Sequence, residues 1–345
     1  MAAKTNAPAG SPVGPVPFAE FETDPGLASS VVEQLPEEHA ALPSASAFNG
    51  LMNLRCYQGF WLPDFYAAAA VALQRRFEPC RDDVIVASFP KSGTTWLNAL
   101  TFATMARRAY PAADAGHPLL RLNPHQCIPF LENLFRSRAE AVKLEALPSP
   151  RLMNTHMPLG MIMPGAGRCK VVYVCREPKD MVVSFWHFLQ HLQPDLALAD
   201  VLDSVCSGEV PYGPVWDHIL GYWRASIARP DAVLFLRYEE LLRDPVGNVR
   251  ELARFVGLPF SDAEEEAGVI QDIVKLCSFG HLKPLEANST GRLDPLLPVP
   301  REALFRKGVA GDWVNHSSPT SSMRPASLFS DSRGRLCRLR LRLVQ

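Results

Sequence analysis

The chain has 345 residues, 47% of them hydrophobic and 9% aromatic, enough for one large core or two modest ones. Lys plus Arg number 35 against 36 for Asp plus Glu, so the formal net charge of −1 gives no global attraction to nucleic acid or to an anionic membrane. Any anion site must be local.

No apolar run approaches the ~18 residues that suggest a membrane span. The opening MAAKTNAPAGSPVGPVPF has one Lys, no apolar h-region and none of the arginines of a mitochondrial transit peptide, so the cytoplasm is the expected compartment. The 8 cysteines, at positions 56, 80, 127, 169, 175, 206, 277 and 337, form no CxxC and no Cys/His cluster with zinc spacing. Reduced thiols and no structural metal are expected.

Residues 1–45 hold seven prolines and no sustained periodicity, which predicts a mostly disordered arm with too little apolar surface to offset its ordering entropy. A single domain is expected over 46–315, opening with the aromatic cluster Tyr57, Phe60, Trp61, Phe65 and Tyr66. Three runs read as buried strands: Val84–Ser88, Lys170–Val174 and Ala232–Leu236. Each is followed by a stretch of helical character, and the predicted helices are Thr94–Arg108, Met181–Leu192, Val215–Ile227, Gly247–Val256 and Ala263–Leu276. This alternation predicts an α/β fold, a central parallel sheet flanked by helices. From 316 to 345 the composition turns to Ser, Pro and Arg, and alternating Arg and Leu mark an atypical basic tail.

The most informative stretch runs from Ser88 to Trp96, SFPKSGTTW, between a predicted strand and a predicted helix. The first amides of a helix lack intrahelical partners and the dipole is positive there, so a phosphate fits. Gly93 permits close backbone approach, the hydroxyls of Ser92, Thr94 and Thr95 add donors, and Lys91 adds charge. An ordinary capped turn with a surface lysine has the same composition; the flanking strand and helix favour the P-loop-like reading. GxxxxGK[ST] is absent, and the next strand ends in Cys175-Arg176 where an NTPase would need a carboxylate for Mg²⁺. A cation there suits a second anion.

With those residues in place, the chain resembles the cytosolic sulfotransferases, most closely the plant branch that includes flavonol sulfotransferases. The resemblance covers roughly Tyr57 to Asn315. It rests on Pro90–Trp96, on Cys175-Arg176-Glu177-Pro178-Lys179-Asp180 running to Ser184, and on Arg306–Trp313, with weaker matches at Tyr238-Glu239-Glu240 and Cys277-Ser278-Phe279. It implies 3′-phosphoadenylyl sulfate (PAPS) as sulfuryl donor and no metal. Lys91, Ser92, Gly93, Thr94 and Thr95 would hold the 5′-phosphate and sulfate. Arg176, Ser184, Arg306, Lys307 and Gly308 would hold the 3′-phosphate, and Trp96, Phe279 and Tyr238 the adenine. Taken singly, Phe279 reads more often as core and Arg306-Lys307 as a solvated pair; their joint appearance carries the functional reading.

The resemblance also implies that His156, in Met153-Asn154-Thr155-His156-Met157-Pro158, is the general base, with Lys91 neutralising charge on the leaving oxygen. Family members often carry Lys where this chain has Asn154. The partner expected is a small hydroxylated acceptor, flavonoid-, steroid- or hormone-like, lined by candidates Phe60, Trp61, Phe130, Phe135, Phe185, Trp186 and Phe188. Neither nucleic acid nor membrane is expected as a partner. The family's dimerisation pattern is missing after Asp312-Trp313, so oligomeric state is left open, and a nucleotide-binding protein without transferase activity stays an alternative, as does a P-loop-like kinase.

Overall fold

The computed structural model describes residues 15–22, 40–136, 138–163, 169–294 and 296–316. Its centre is a four-stranded parallel sheet of β4 (Val84–Ser88), β5 (Leu152–Thr155), β6 (Lys170–Cys175) and β7 (Val233–Arg237), in the order β5-β4-β6-β7. The predicted strands are present, two of them displaced or extended by a residue, and the predicted fold class is the observed one.

Both faces of the sheet are covered, which is why its strands read as continuous apolar runs. Ile85, Ala87, Val171 and Tyr173 face one core; Val84, Val86, Val172 and Val174 face the other. The first core takes in the helices Asp64–Arg76, Pro178–Leu189 and Val215–Ala228, the second Thr94–Met105, Pro245–Phe255 and Val269–Leu276. Each aliphatic side chain buried this way contributes about 1.5–3 kcal/mol relative to exposure.

Strand β5 was not among the predicted strands. Its sequence Leu-Met-Asn-Thr is half polar, and a period-2 reading has no reason to bury it. The polar side chains are satisfied in place: Asn154 donates to the carbonyls of Ile128 (2.7 Å) and Pro129 (3.0 Å), and Thr155 to Glu132 (2.9 Å). A second departure is the helix expected over Ala263–Leu276. It splits into Asp262–Glu266 and Val269–Leu276 because Gly268, at φ +76°, takes the left-handed conformation between them.

A small antiparallel sheet precedes the main one: β1 (Ser44–Ala47), β2 (Met52–Tyr57) and β3 (Phe60–Pro63), in that order. It carries part of the aromatic cluster and is tied to the far side of the domain, Trp61 donating to the Gly213 carbonyl and accepting from the Tyr212 amide. The arm expected to be disordered over 1–45 lies largely outside the described residues. Its described parts are ordered: Phe18 is buried, and Ser44 and Ala45 belong to β1. Of the tail 316–345 only His316 is described. Among the described residues the seven cysteines are free thiols, no helix is long and apolar enough to cross a membrane, and no His, Cys, Asp and Glu cluster is arranged to hold a metal.

Candidate active site

The loop from Phe89 to Gly93 joins the end of β4 to the helix Thr94–Met105. Lys91 and Gly93 have φ of +66° and +110°, and the first helical bond, from the Leu97 amide to the Gly93 carbonyl, spans 3.0 Å. The amides of Thr94, Thr95 and Trp96 therefore have no helical acceptor and are turned to the loop. The hydroxyls are locked from behind, Ser88 Oγ with Thr94 Oγ1 at 2.5 Å and Thr95 Oγ1 with His125 Nε2 at 3.0 Å.

The positive φ at Gly93 is matched by crowding: a Cβ there would lie 2.7 Å from Tyr238 Cδ2. Tyr238 is itself buried, with Trp96 against its edge and the Arg176 guanidinium 4.7 Å from its centre, so displacing the ring would disturb both contacts. Gly93→Ala is expected to cost about 1–3 kcal/mol in backbone strain alone, read as a lowered thermal midpoint together with weaker nucleotide binding. An unchanged midpoint would mean the loop tolerates the side chain.

At the end of β6, Arg176 reaches across this loop, its guanidinium donating to the carbonyls of Lys91 (3.3 Å) and Val309 (2.9 Å). Its Nε and that of Arg306 are buried without a partner. The 306–313 segment is held by Asp180, in the first turn of the helix Pro178–Leu189, which accepts from the amides of Gly311 (2.6 Å) and Trp313 (2.9 Å). Arg306 and Lys307 both reach Asp312, at 2.6 Å each. Burial would raise that carboxyl, but hydrogen bonds from Lys307, Asn315 and Arg306 hold it well below the usual range. Gly308, at φ +68°, gives its side-chain space to Phe279: a Cβ would meet the ring at 2.5 Å.

Lys91 has no carboxylate partner among the described residues; its ammonium sits 4.0 Å from the centre of the Phe188 ring. Burial, then the neighbouring charges of Arg176 and Arg306, lower its pKa to about 7. Three cations thus converge here, with Arg306 offset by Asp312 and Lys91 facing no carboxylate among the described residues.

His156 follows β5 directly. Its Nδ1 lies 2.8 Å from the Ser88 carbonyl, and since a carbonyl can only accept, Nδ1 carries the proton and Nε2 keeps its lone pair. The ring sits between Phe130 and Tyr212, and its own carbonyl accepts from His218 Nε2 at 2.9 Å. Burial is the main reason its pKa falls to about 4; the Ser88 carbonyl opposes this and the Lys91 charge reinforces it. The imidazole is neutral at pH 7.

These groups line one cavity of about 580 Å³. Every site residue expected from the sequence lines it except Ser92, which is buried and does not border it. Of the acceptor-pocket candidates, Phe130, Phe185 and Phe188 line the cavity. Phe60, Trp61, Phe135 and Trp186 do not: Phe135 packs on Phe77, and Trp186 donates its indole N–H to the Leu196 carbonyl.

The sulfotransferase domain family matches residues 81–329 of the chain. This protein belongs to the sulfotransferase family. Cytosolic sulfotransferase 15 of Arabidopsis thaliana is 38% identical to it, across 91% of this chain and 88% of its own. Flavonol 4′-sulfotransferase of Flaveria chlorifolia is also 38% identical, across 84% and 89%. Among solved structures, a putative steroid sulphotransferase of Arabidopsis thaliana superposes with a TM-score of 0.62 at 39% identity, covering 72% of this chain and 89% of its own. Mouse sulfotransferase SULT7A1 complexed with PAP gives 0.60 at 27% identity, covering 83% and 98%. The sulfotransferase described here uses PAPS and transfers its sulfuryl group to a hydroxyl acceptor.

Sequence reasoning missed several groups that build this sulfotransferase site. Glu132 is fully buried and accepts from the His156 amide (2.8 Å) as well as from Thr155; burial pushes its carboxyl up to about 8. A lone acid inside the apolar run Ile128–Leu134 was the available signal. Asp180 stood inside a recognised motif, yet its service to the 306–313 segment is a contact across 131 and 133 residues. Asn154 is buried in β5 and supplies no charge to the cavity.

Proposed function

We propose that this sulfotransferase acts on a hydroxyl of a small, largely apolar ring-bearing acceptor, with His156 as the general base and the nucleotide held between the phosphate loop and the 306–308 segment. The observation that carries the reading is the convergence of Lys91, Arg176 and Arg306 on one cavity, with Arg176 Nε and Arg306 Nε buried and unpaired. An unpaired buried donor on a charged group is costly, and a phosphate is the acceptor that fits. Trp96, Tyr238 and Phe279 line the same end and offer flat faces suited to a purine. PAPS, when bound, supplies the sulfuryl group.

Each residue then has a defined task. The amides of the first helical turn, with Thr94, Thr95 and Lys91, bind the 5′ end. Arg176, Ser184 and Arg306 bind the 3′-phosphate. Lys307, whose ammonium is engaged by Asp312, contributes through its backbone, as does Gly308. His156 Nε2 takes the acceptor's hydroxyl proton, and the Lys91 ammonium faces the charge that grows on the departing oxygen. Phe65, Phe130, Phe185, Phe188 and Leu293 supply apolar lining to the cavity, Phe130 against the His156 ring, with Asn133 and Asp294 among its polar residues. The flavonol and steroid named for two relatives support acceptors of that shape.

The test is a metal-free calorimetric titration with 3′-phosphoadenosine 5′-phosphate (PAP), and with 5′-AMP, which lacks only the 3′-phosphate. The expected gap is roughly a hundredfold, the equivalent of a few kcal/mol in charge-assisted hydrogen bonds. A bound anion favours protonated Lys91, so binding should take up a proton and weaken as pH rises above about 7. Equal affinities for the two nucleotides would defeat the assignment.

A further inference from the structure

The short N-terminal segment 15–22 lies outside the domain expected from the sequence, and no nucleotide-binding role uses it. Pro15 and Pro17 are buried and Phe18 is 9% exposed, opening the 3-10 turn Phe18–Glu20. Phe18 lines the same cavity as His156. It belongs to the apolar cluster that holds Tyr66, Leu134 and Phe185, with Phe130 against it, and not to the cluster of Trp96, Tyr238 and Phe279. Its ring therefore packs in a different apolar cluster from the purine-facing aromatics.

The segment is held down by contacts of different kinds. Glu20 takes the Arg121 guanidinium in a two-bond fork at 2.7 and 2.8 Å, and Arg121 also donates to the Gly116 carbonyl. Lys143 places its ammonium 4.4 Å from the centre of the Phe18 ring. The turn packs on the short helix Pro124–Cys127, whose His125 bonds Thr95 of the phosphate loop. The ion pair is half exposed and holds weakly. Burial of the phenyl ring is the main term, and Pro17 before it lowers the entropy lost on ordering.

We propose that Phe18 is a specificity-determining residue, its ring forming part of the wall against which the acceptor's apolar body packs. This rests on the reading of the His156 side of the cavity as the acceptor end. The ring touches no reacting atom, so it binds ground state and transition state alike, and its loss falls on KM rather than kcat.

Two measurements on the full-length protein test it. In hydrogen exchange on the PAP complex, the amides of Glu20 and Phe21, which donate to Pro17 (3.1 Å) and Phe18 (3.3 Å), should exchange more slowly than in an unstructured chain; free exchange there overturns the docking. With saturating PAPS and 2-naphthol as acceptor, Phe18→Ala should raise KM about five- to tenfold with kcat nearly unchanged, and Phe18→Leu should recover most of the loss. PAP affinity should not move in either variant. An unchanged KM while turnover persists refutes the role of Phe18 and leaves the acceptor site standing. A parallel loss of PAP affinity also refutes it, as general damage. If the wild type sulfates neither 2-naphthol nor a hydroxysteroid, yet binds PAP, the acceptor reading fails and this inference fails with it.

Discussion

His156→Ala is expected to lower kcat by ~10²–10⁴ while leaving PAP affinity nearly intact. The asymmetry follows from the geometry. The imidazole is oriented by the Ser88 carbonyl through Nδ1, so the nitrogen left to work, Nε2, is a base and not a donor. The variant removes the proposed base but leaves untouched the amides, hydroxyls and cations proposed to bind the nucleotide. The pH profile supplies a second readout. In the proposed mechanism neutral imidazole is the competent form, and burial lowers its pKa to about 4. The acid limb of kcat/KM should therefore persist below the ordinary histidine value near 6.5 and fall only as pH descends towards about 4. A variant that retains most of its kcat would remove His156 from the mechanism, whatever its position.

Arg176→Ala should weaken PAP by roughly 10- to 100-fold, the range of about 1.5–3 kcal/mol for hydrogen bonds to a charged group. 5′-AMP, lacking the 3′-phosphate, should lose far less. Arg176 also ties the Lys91 and Val309 carbonyls together, so its loss loosens the two loops as well. Arg176→Lys separates the contributions: it keeps the charge but not the fork, and an ammonium cannot span both carbonyls and a phosphate. An intermediate loss is expected for PAP. Titration at two salt concentrations reads the electrostatic share. If AMP and PAP lose affinity equally, Arg176 is a loop bolt and not a 3′-phosphate ligand.

Both effects depend on residues far apart in sequence, which bears on how much of the site was legible beforehand. The strand–loop–helix around Lys91 and Gly93 was legible because its signals are local: a β-branched run, a glycine and a helix start within a few residues. The parallel sheet was legible for the same reason, since strands buried on both faces lack polar interruptions. Strand β5 breaks that rule, with Asn154 and Thr155 buried against carbonyls and a carboxyl from 128–132. Such compensation exists only once the segments meet. The pocket aromatics divide the same way: Phe130, Phe185 and Phe188 face the cavity, Phe135 and Trp186 face the core, and their residue types do not distinguish them.

The sequence by itself determined the fold class, the phosphate loop and the inventory of cations, bases and aromatics, because these rest on short-range pattern and residue chemistry. Only the tertiary structure decided which nitrogen of His156 is free, how far Lys91 is depressed, that Asp180 anchors the 306–313 segment and that Phe18 reaches the cavity. Each of those depends on burial or on a partner many residues away, and neither desolvation nor a long-range hydrogen bond leaves a mark in local sequence.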